Sequence, residues 1–110
     1  MATVNFVKYD SQNKTALYNV TRYVEREDKT VLDDETQLVS GQNCSPRTAY
    51  REFLATRELN DKDSPVWFYH YTQSFPPDEN ITPQQAHELA KEFAAKAWPK
   101  SEVLISTHID

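Results

Sequence analysis

Tyr23, His108 and Asp110 are the residues whose types and spacing best suit chemistry. Tyr23 lies in Ala16–Thr30, which begins as an amphipathic helix because Leu17, Val20 and Val24 recur at i, i+3 and i+7 on one face. It falls in the last turn, beside that apolar stripe. A tyrosine held on a short helix and aimed at a sheet can act as a nucleophile. A phenol ionises near pH 10, so it needs help from a polarised phosphate or a nearby base. On spacing alone, a half-buried tyrosine with its hydroxyl in water is the stronger reading. Tyr18, five residues earlier, lies roughly 140° round the helix, so the two tyrosines cannot point at one site. His108 and Asp110 stand at i and i+2 of a strand-like stretch and face one side, as a ligand and its helper would. On spacing alone, an exposed histidine near the chain end is the stronger reading.

Ser74 and His70 share a face of the apolar run Pro65–Phe75. A serine hydroxyl there can bond a phosphate, and phosphate contacts position a nucleic-acid strand. A packed strand histidine is the plainer reading of His70. Arg22, Arg26 and Lys29 flank Tyr23, and Arg47, Arg51 and Arg57 mark a second helix. All six can meet phosphates. Tyr9, Tyr69 and Tyr71 can stack bases. Mixed charge on ordinary helix surfaces and core packing account for the same residues without a ligand. His87 lies off the apolar stripe of its helix and reads as solvated surface.

The elements that must position these groups follow from local pattern. Thr3–Tyr9 alternates as a strand. Asn13 is placed to cap a helix from Lys14 to about Glu25. Gln37–Gly41 is a short strand. Ser45 and Pro46 suit the cap and first position of a second helix, to about Leu59, with Ala49, Tyr50, Phe53 and Leu54 facing the core. Pro65–Phe75 has large residues on both faces and predicts a central strand covered on both sides. Thr82, Pro83 and Gln85 form a capping-box signature for a third helix, which turns Ala86, Leu89, Ala90, Phe93, Ala94, Ala97 and Trp98 inward and stops at Pro99. Glu102–Ile109 is a fourth strand. Strand and helix alternate throughout, which suggests a sheet with split βαβ character.

Composition narrows the function classes. The 110 residues are 38% hydrophobic and 26% charged, the balance of one soluble globular domain or most of one. No apolar run is long enough to span a membrane. The lone Cys44 excludes an internal disulfide and suits a reducing cytoplasm. Gly41 is the sole glycine, so glycine-rich phosphate loops are absent, and with them Rossmann dinucleotide enzymes and P-loop NTPases. The net charge of -5 weighs against a simple nucleic-acid binder, although basic residues kept local to a site can still meet DNA.

Tyr23-Val24-x-x-x-x-Lys29-Thr30 resembles the nucleophile segment of plasmid relaxases, mobilisation nucleases of the HUH endonuclease superfamily with a single catalytic tyrosine. The resemblance recurs at Tyr69-His70-Tyr71-Thr72-Gln73-Ser74-Phe75, at Ile81-Thr82-Pro83, and at Thr107-His108-Ile109-Asp110. It implies an α+β fold with a largely antiparallel central sheet of about four to five strands and helices packed on it. It implies that residues 1–110 are the N-terminal part of a relaxase domain, since the family's third motif continues past Asp110 to a His-x-His pair on a fifth strand.

By the same resemblance Tyr23 is the nucleophile. It would nick single-stranded origin-of-transfer DNA through a 5′-phosphotyrosine during plasmid mobilisation. Asp110 supports catalysis, His108 is the first ligand of a divalent metal (Mg²⁺ or Mn²⁺), and Ser74, Lys29 and Arg22 contact DNA. The expected partners are single-stranded or nicked plasmid DNA and accessory mobilisation proteins, in the cytoplasm and with no membrane. Nicking belongs to the full-length domain, and the 110 residues alone are expected to be weakly active or inactive. Two other readings remain open: a non-catalytic α/β module that binds DNA or a protein, and an oligomerising domain that pairs through an exposed strand edge.

Overall fold

The structure is a computed structural model that describes residues 3–24, 30–31, 37–60, 63–76 and 78–108. The expected alternation is present: β1 (Thr3–Val7), α1 (Lys14–Val24), β2 (Val39–Gln42), α2 (Ala49–Asn60), β3 (His70–Ser74), α3 (Pro83–Ala97) and β4 (Val103–Ser106). A 3₁₀ turn at Pro46–Thr48 leads into α2. The chain is therefore α+β, with antiparallel strand pairing. No described helix is long and apolar enough to cross a membrane.

α1 forms where its sequence says it should. The Asn13 side-chain oxygen accepts from the Ala16 amide at 2.8 Å, satisfying a first-turn donor that has no helical partner. Leu17 and Val20 are buried and pack with Phe68, and Tyr9, Ala16, Val24, Tyr50, Phe53, Leu54 and Trp67 close around them. Thr21 is also buried, because its hydroxyl donates back to the Leu17 and Tyr18 carbonyls at 3.0 and 2.9 Å and so carries no unpaired polar group inward. The main core thus lies between α1, α2 and the segment that enters β3.

The strands do not join into one central sheet among the described residues. β1 pairs with β3, from Thr3 opposite Ser74 to Val7 opposite His70. β2 pairs with β4, from Val39 opposite Ser106 to Gln42 opposite Val103. The expected central strand Pro65–Phe75 is cut to its second half by side-chain competition for its backbone. The Gln12 amide accepts from the Trp67 and Phe68 amides at 2.8 and 3.3 Å and donates to the Phe68 carbonyl at 3.4 Å. Arg57 donates to the Ser64 and Val66 carbonyls at 2.7 and 3.1 Å, with its guanidinium 3.8 Å from the centre of the Trp67 ring. Backbone groups that a neighbouring strand would use are taken by these side chains. Nor is β3 covered on both sides. Phe6, Tyr69 and Tyr71 are exposed, and Phe6 shields itself against Tyr71 at a ring separation of 5.3 Å.

Helix termini follow local chemistry with one substitution. The α3 capping box is complete: the Gln85 amide donates to the Thr82 hydroxyl at 3.1 Å and the Thr82 amide to the Gln85 side chain at 2.9 Å. At the second helix, Ser45 occupies the cap position without a side-chain capping bond. The Glu52 carboxylate instead reaches back to accept from the Ser45 amide at 2.8 Å and the Thr48 hydroxyl at 2.7 Å. These bonds hold the Glu52 carboxyl below its ordinary range. α3 turns a different face inward than its apolar spacing suggests, since Leu89 and Phe93 are exposed while His87 and Ala94 are buried.

Gly41 lies on β2, and a Cβ there would collide with the Cys44 carbonyl oxygen and press on Pro46. We therefore expect Gly41→Ala to destabilise the fold by about 1–3 kcal/mol, despite the usual gain in strand propensity from removing a glycine. A lowered urea midpoint with an unchanged m-value is the expected reading, and an unchanged midpoint would contradict it.

Candidate active site around Tyr23

The C-terminal end of α1, the first residue of β3 and the segment after β4 converge on one patch. Tyr23 projects from the last turn of α1 and is 50% exposed, so the ring is held while one side stays open to solvent. Its ring centre lies 5.4 Å from that of His108 and 6.5 Å from that of His70, edge-on to both. The phenol and the imidazole therefore lie side by side.

His108 is tied to α1 directly. Its Nε2 is 3.2 Å from the Val24 carbonyl oxygen, which can only accept, so Nε2 carries the proton. The bond joins the segment after β4 to the end of α1. β4 ends at Ser106, so His108 lies two residues beyond the strand rather than on it. The expected alignment of His108 and Asp110 on one strand face is thus not tested, because Asp110 lies outside the described residues.

His70 is half-buried, and its Nδ1 shares a 2.7 Å hydrogen bond with the Tyr9 hydroxyl. Burial lowers its pKa below the ordinary value, and the charge of His108 lowers it further. The Tyr9 pKa is raised by burial and then by Tyr23. Both partners are thus held uncharged. A neutral base therefore stands beside the half-exposed phenol of Tyr23. The pairing rests on register: Val7 faces His70 across the ribbon, and Tyr9, two residues on, returns to the same face. Local pattern carries no such information, and Tyr9, read in sequence as an aromatic that could stack bases, instead pairs with His70.

The other candidate residues are distributed elsewhere. Ser74 lies at the far end of β3, exposed, and about 13 Å along the strand from His70. That is too far to join the Tyr23 patch. Arg22 turns to another flank of α1, where its guanidinium lies 5.5 Å from the centre of the Tyr18 ring. Tyr18 packs edge-on against Tyr50 at 5.2 Å, well away from the patch. Lys29 and Arg26 lie outside the described residues.

His87 is a correction. It is 6% exposed rather than solvated. Its Nε2 shares a 2.6 Å hydrogen bond with the Ser40 hydroxyl, and its Nδ1 a 3.0 Å bond with the Thr107 hydroxyl. A hydroxyl from β2 and one from the residue just after β4 satisfy both ring nitrogens, which is what lets a polar ring replace Leu89 and Phe93 on the inner face of α3. The brace fixes Thr107, the residue before His108.

The donors are too few for a metal site among the described residues: no group of three or more His, Cys, Asp or Glu side chains is placed to hold an ion. His108 has its Nε2 committed to Val24 as well. The arrangement as described offers a phenol between two imidazoles, one of them kept neutral.

Residues 23–110 match the family described as relaxase, MobA/VirD2-like, nuclease domain. The chain belongs to this relaxase family. It is 29% identical to the group II intron-interrupted relaxase LtrB of Lactococcus lactis subsp. cremoris, over 127 aligned residues covering 92% of this chain and 22% of that protein. It is 38% identical to the protein rlx of Staphylococcus aureus over 71 residues, 64% of this chain and 22% of that protein. The relaxase chain thus spans about a fifth of the length of the curated relatives it matches. No solved structure matches it.

The His87 brace makes the relaxase fold sensitive to acid. Burial lowers the His87 pKa first and Lys91 lowers it further, with Glu88 opposing. The unfolded chain, with a histidine near 6.5, then binds more protons than the native one as pH falls. The stabilising contribution is complete above that value and is lost as pH drops through it towards the lower native pKa. We expect the melting temperature to fall across that window, and the His87→Gln variant, which cannot be protonated, to lose this part of the pH dependence. An identical pH profile in the variant would contradict the assignment.

Proposed function

We propose that this chain carries the nucleophile of a relaxase that nicks single-stranded origin-of-transfer DNA during plasmid mobilisation, in the cytoplasm and together with accessory mobilisation proteins. The observation that supports it is the setting of Tyr23, half-exposed and edge-on to His108 and His70 at 5.4 and 6.5 Å. In the proposed step the Tyr23 oxygen forms a bond to phosphorus while the bond from phosphorus to the 3′ oxygen breaks. The product is a 5′-phosphotyrosine and a free 3′-hydroxyl, and the phosphoester bond energy is conserved for rejoining. The phenol must lose a proton and the departing 3′ oxygen must gain one. His70, held neutral beside Tyr23, is the imidazole suited to that exchange.

Ser74 and Arg22 fit the role of strand contacts away from the reacting phosphate. Residues 1–110 would form the N-terminal part of the domain. A divalent metal such as Mg²⁺ or Mn²⁺ would take His108 as one donor and the rest from outside the described residues, with Asp110 in support. One observation favours a non-catalytic DNA- or protein-binding module instead: the ring nitrogen of His108 is already bonded to Val24, in a chain of net charge -5.

One experiment separates the two readings. The full-length protein containing this chain is incubated with a labelled single-stranded origin oligonucleotide and Mn²⁺. A shifted band that survives denaturant is expected. Tyr23→Phe should abolish it, and Tyr18→Phe should leave it. No band from the unaltered protein would favour the binding module, and a band from Tyr23→Phe would remove Tyr23 from the nucleophile's role.

A further inference from the structure

A second charged surface lies on the flank of α1 turned away from Tyr23. Tyr18 and Arg22 of α1 face Arg47, Thr48, Tyr50 and Arg51 of the turn and helix that follow β2, and together they line an open cleft of about 470 Å³. Three guanidinium groups thus gather at one place on a chain of net charge -5. Arginine side chains lining one cleft suit an anion such as a phosphate, which their forked donors can grip. The Glu52 carboxylate nearby is occupied with the Ser45 amide and the Thr48 hydroxyl.

The cleft is also aromatic. Tyr18 is 47% exposed, braced edge-on by Tyr50 at 5.2 Å, with the Arg22 guanidinium 5.5 Å from its ring centre. A planar ring held in place beside forked, charged donors recognises two features together: a phosphodiester and an unstacked base. A duplex offers phosphates but keeps its bases stacked.

We propose that this cleft binds the single-stranded DNA flanking the scissile phosphate, with Arg22, Arg47 and Arg51 on its backbone and Tyr18 against a base. This rests on the relaxase reading of the Tyr23 patch. Arg22 and Tyr23 are adjacent, and their side chains leave α1 about 100° apart. A strand attacked at Tyr23 therefore reaches the cleft by passing round a helix only about 10–12 Å across. α1 becomes the post round which the substrate bends.

The test measures binding of a fluorescent single-stranded oligonucleotide to the intact chain by anisotropy across a salt series. A Tyr23→Phe background keeps covalent capture out of the signal. Arg47→Gln with Arg51→Gln should weaken binding at least tenfold and flatten the slope of log K against log salt by about 1.4, or about 0.7 for each lost phosphate contact. Arg47→Lys with Arg51→Lys should restore most of the slope, which shows that charge rather than folding is at issue. Tyr18→Leu should weaken single-strand binding at least about fivefold and leave binding to a hairpin duplex unchanged. An unaltered slope in the glutamine variant, or equal losses on strand and duplex with Tyr18→Leu, would overturn the proposal.

Adduct formation by the unaltered protein is scored separately. Adduct with an unaltered slope removes the cleft and keeps the nuclease. A flattened slope without adduct keeps the cleft and removes the nuclease.

Discussion

The carbonyl of Val24 closes α1 and accepts a hydrogen bond from a side chain far along the sequence. His108 meets it from the other end of the chain at 3.2 Å. That hydrogen bond fixes two things together. It holds the imidazole against the Tyr23 ring, and it draws the chain beyond β4 onto the helix that carries the main core. Without it the phenol would still project from α1, but the imidazole across from it would have no fixed place. The neighbouring brace from His87 to Ser40 and Thr107 serves the same end, because it anchors the residue that precedes His108.

α1 therefore has three working sides. Leu17, Val20 and Thr21 are buried, Tyr23 is turned to the histidines, and Tyr18 with Arg22 is turned to the second helix. A helix of eleven residues has little length for independent stability, so packing must hold it. Burial of its inner side sets the direction of the other two. Any change that rotated α1 would move the phenol and the arginines together.

Features governed by neighbours in sequence were legible in it. The Asn13 cap, the limits of α1, the Thr82–Gln85 box and the alternation of strands and helices all follow from patterns a few residues long. The separation of Tyr18 from Tyr23 followed from helix geometry alone. What escaped the sequence depends on partners far along the chain. Pro65–Tyr69 has the composition of a strand, yet Gln12 and Arg57 claim its backbone. His87 looked solvated because its polarity was weighed without the two hydroxyls that satisfy it. The Tyr9–His70 pair needed strand register, which no local pattern encodes. Motif order, by contrast, was enough to place the chain in its family, because it samples four distant segments at once.

The partners in the Val24–His108 hydrogen bond are 84 positions apart in the chain. A ribosome adding roughly 5–20 residues each second makes the nucleophile's helix about 4 to 17 seconds before the histidine that completes its surroundings. Throughout that interval Tyr23 is an ordinary phenol on a growing chain. A nascent polypeptide thus carries the reactive side chain well before the imidazole that flanks it has been made.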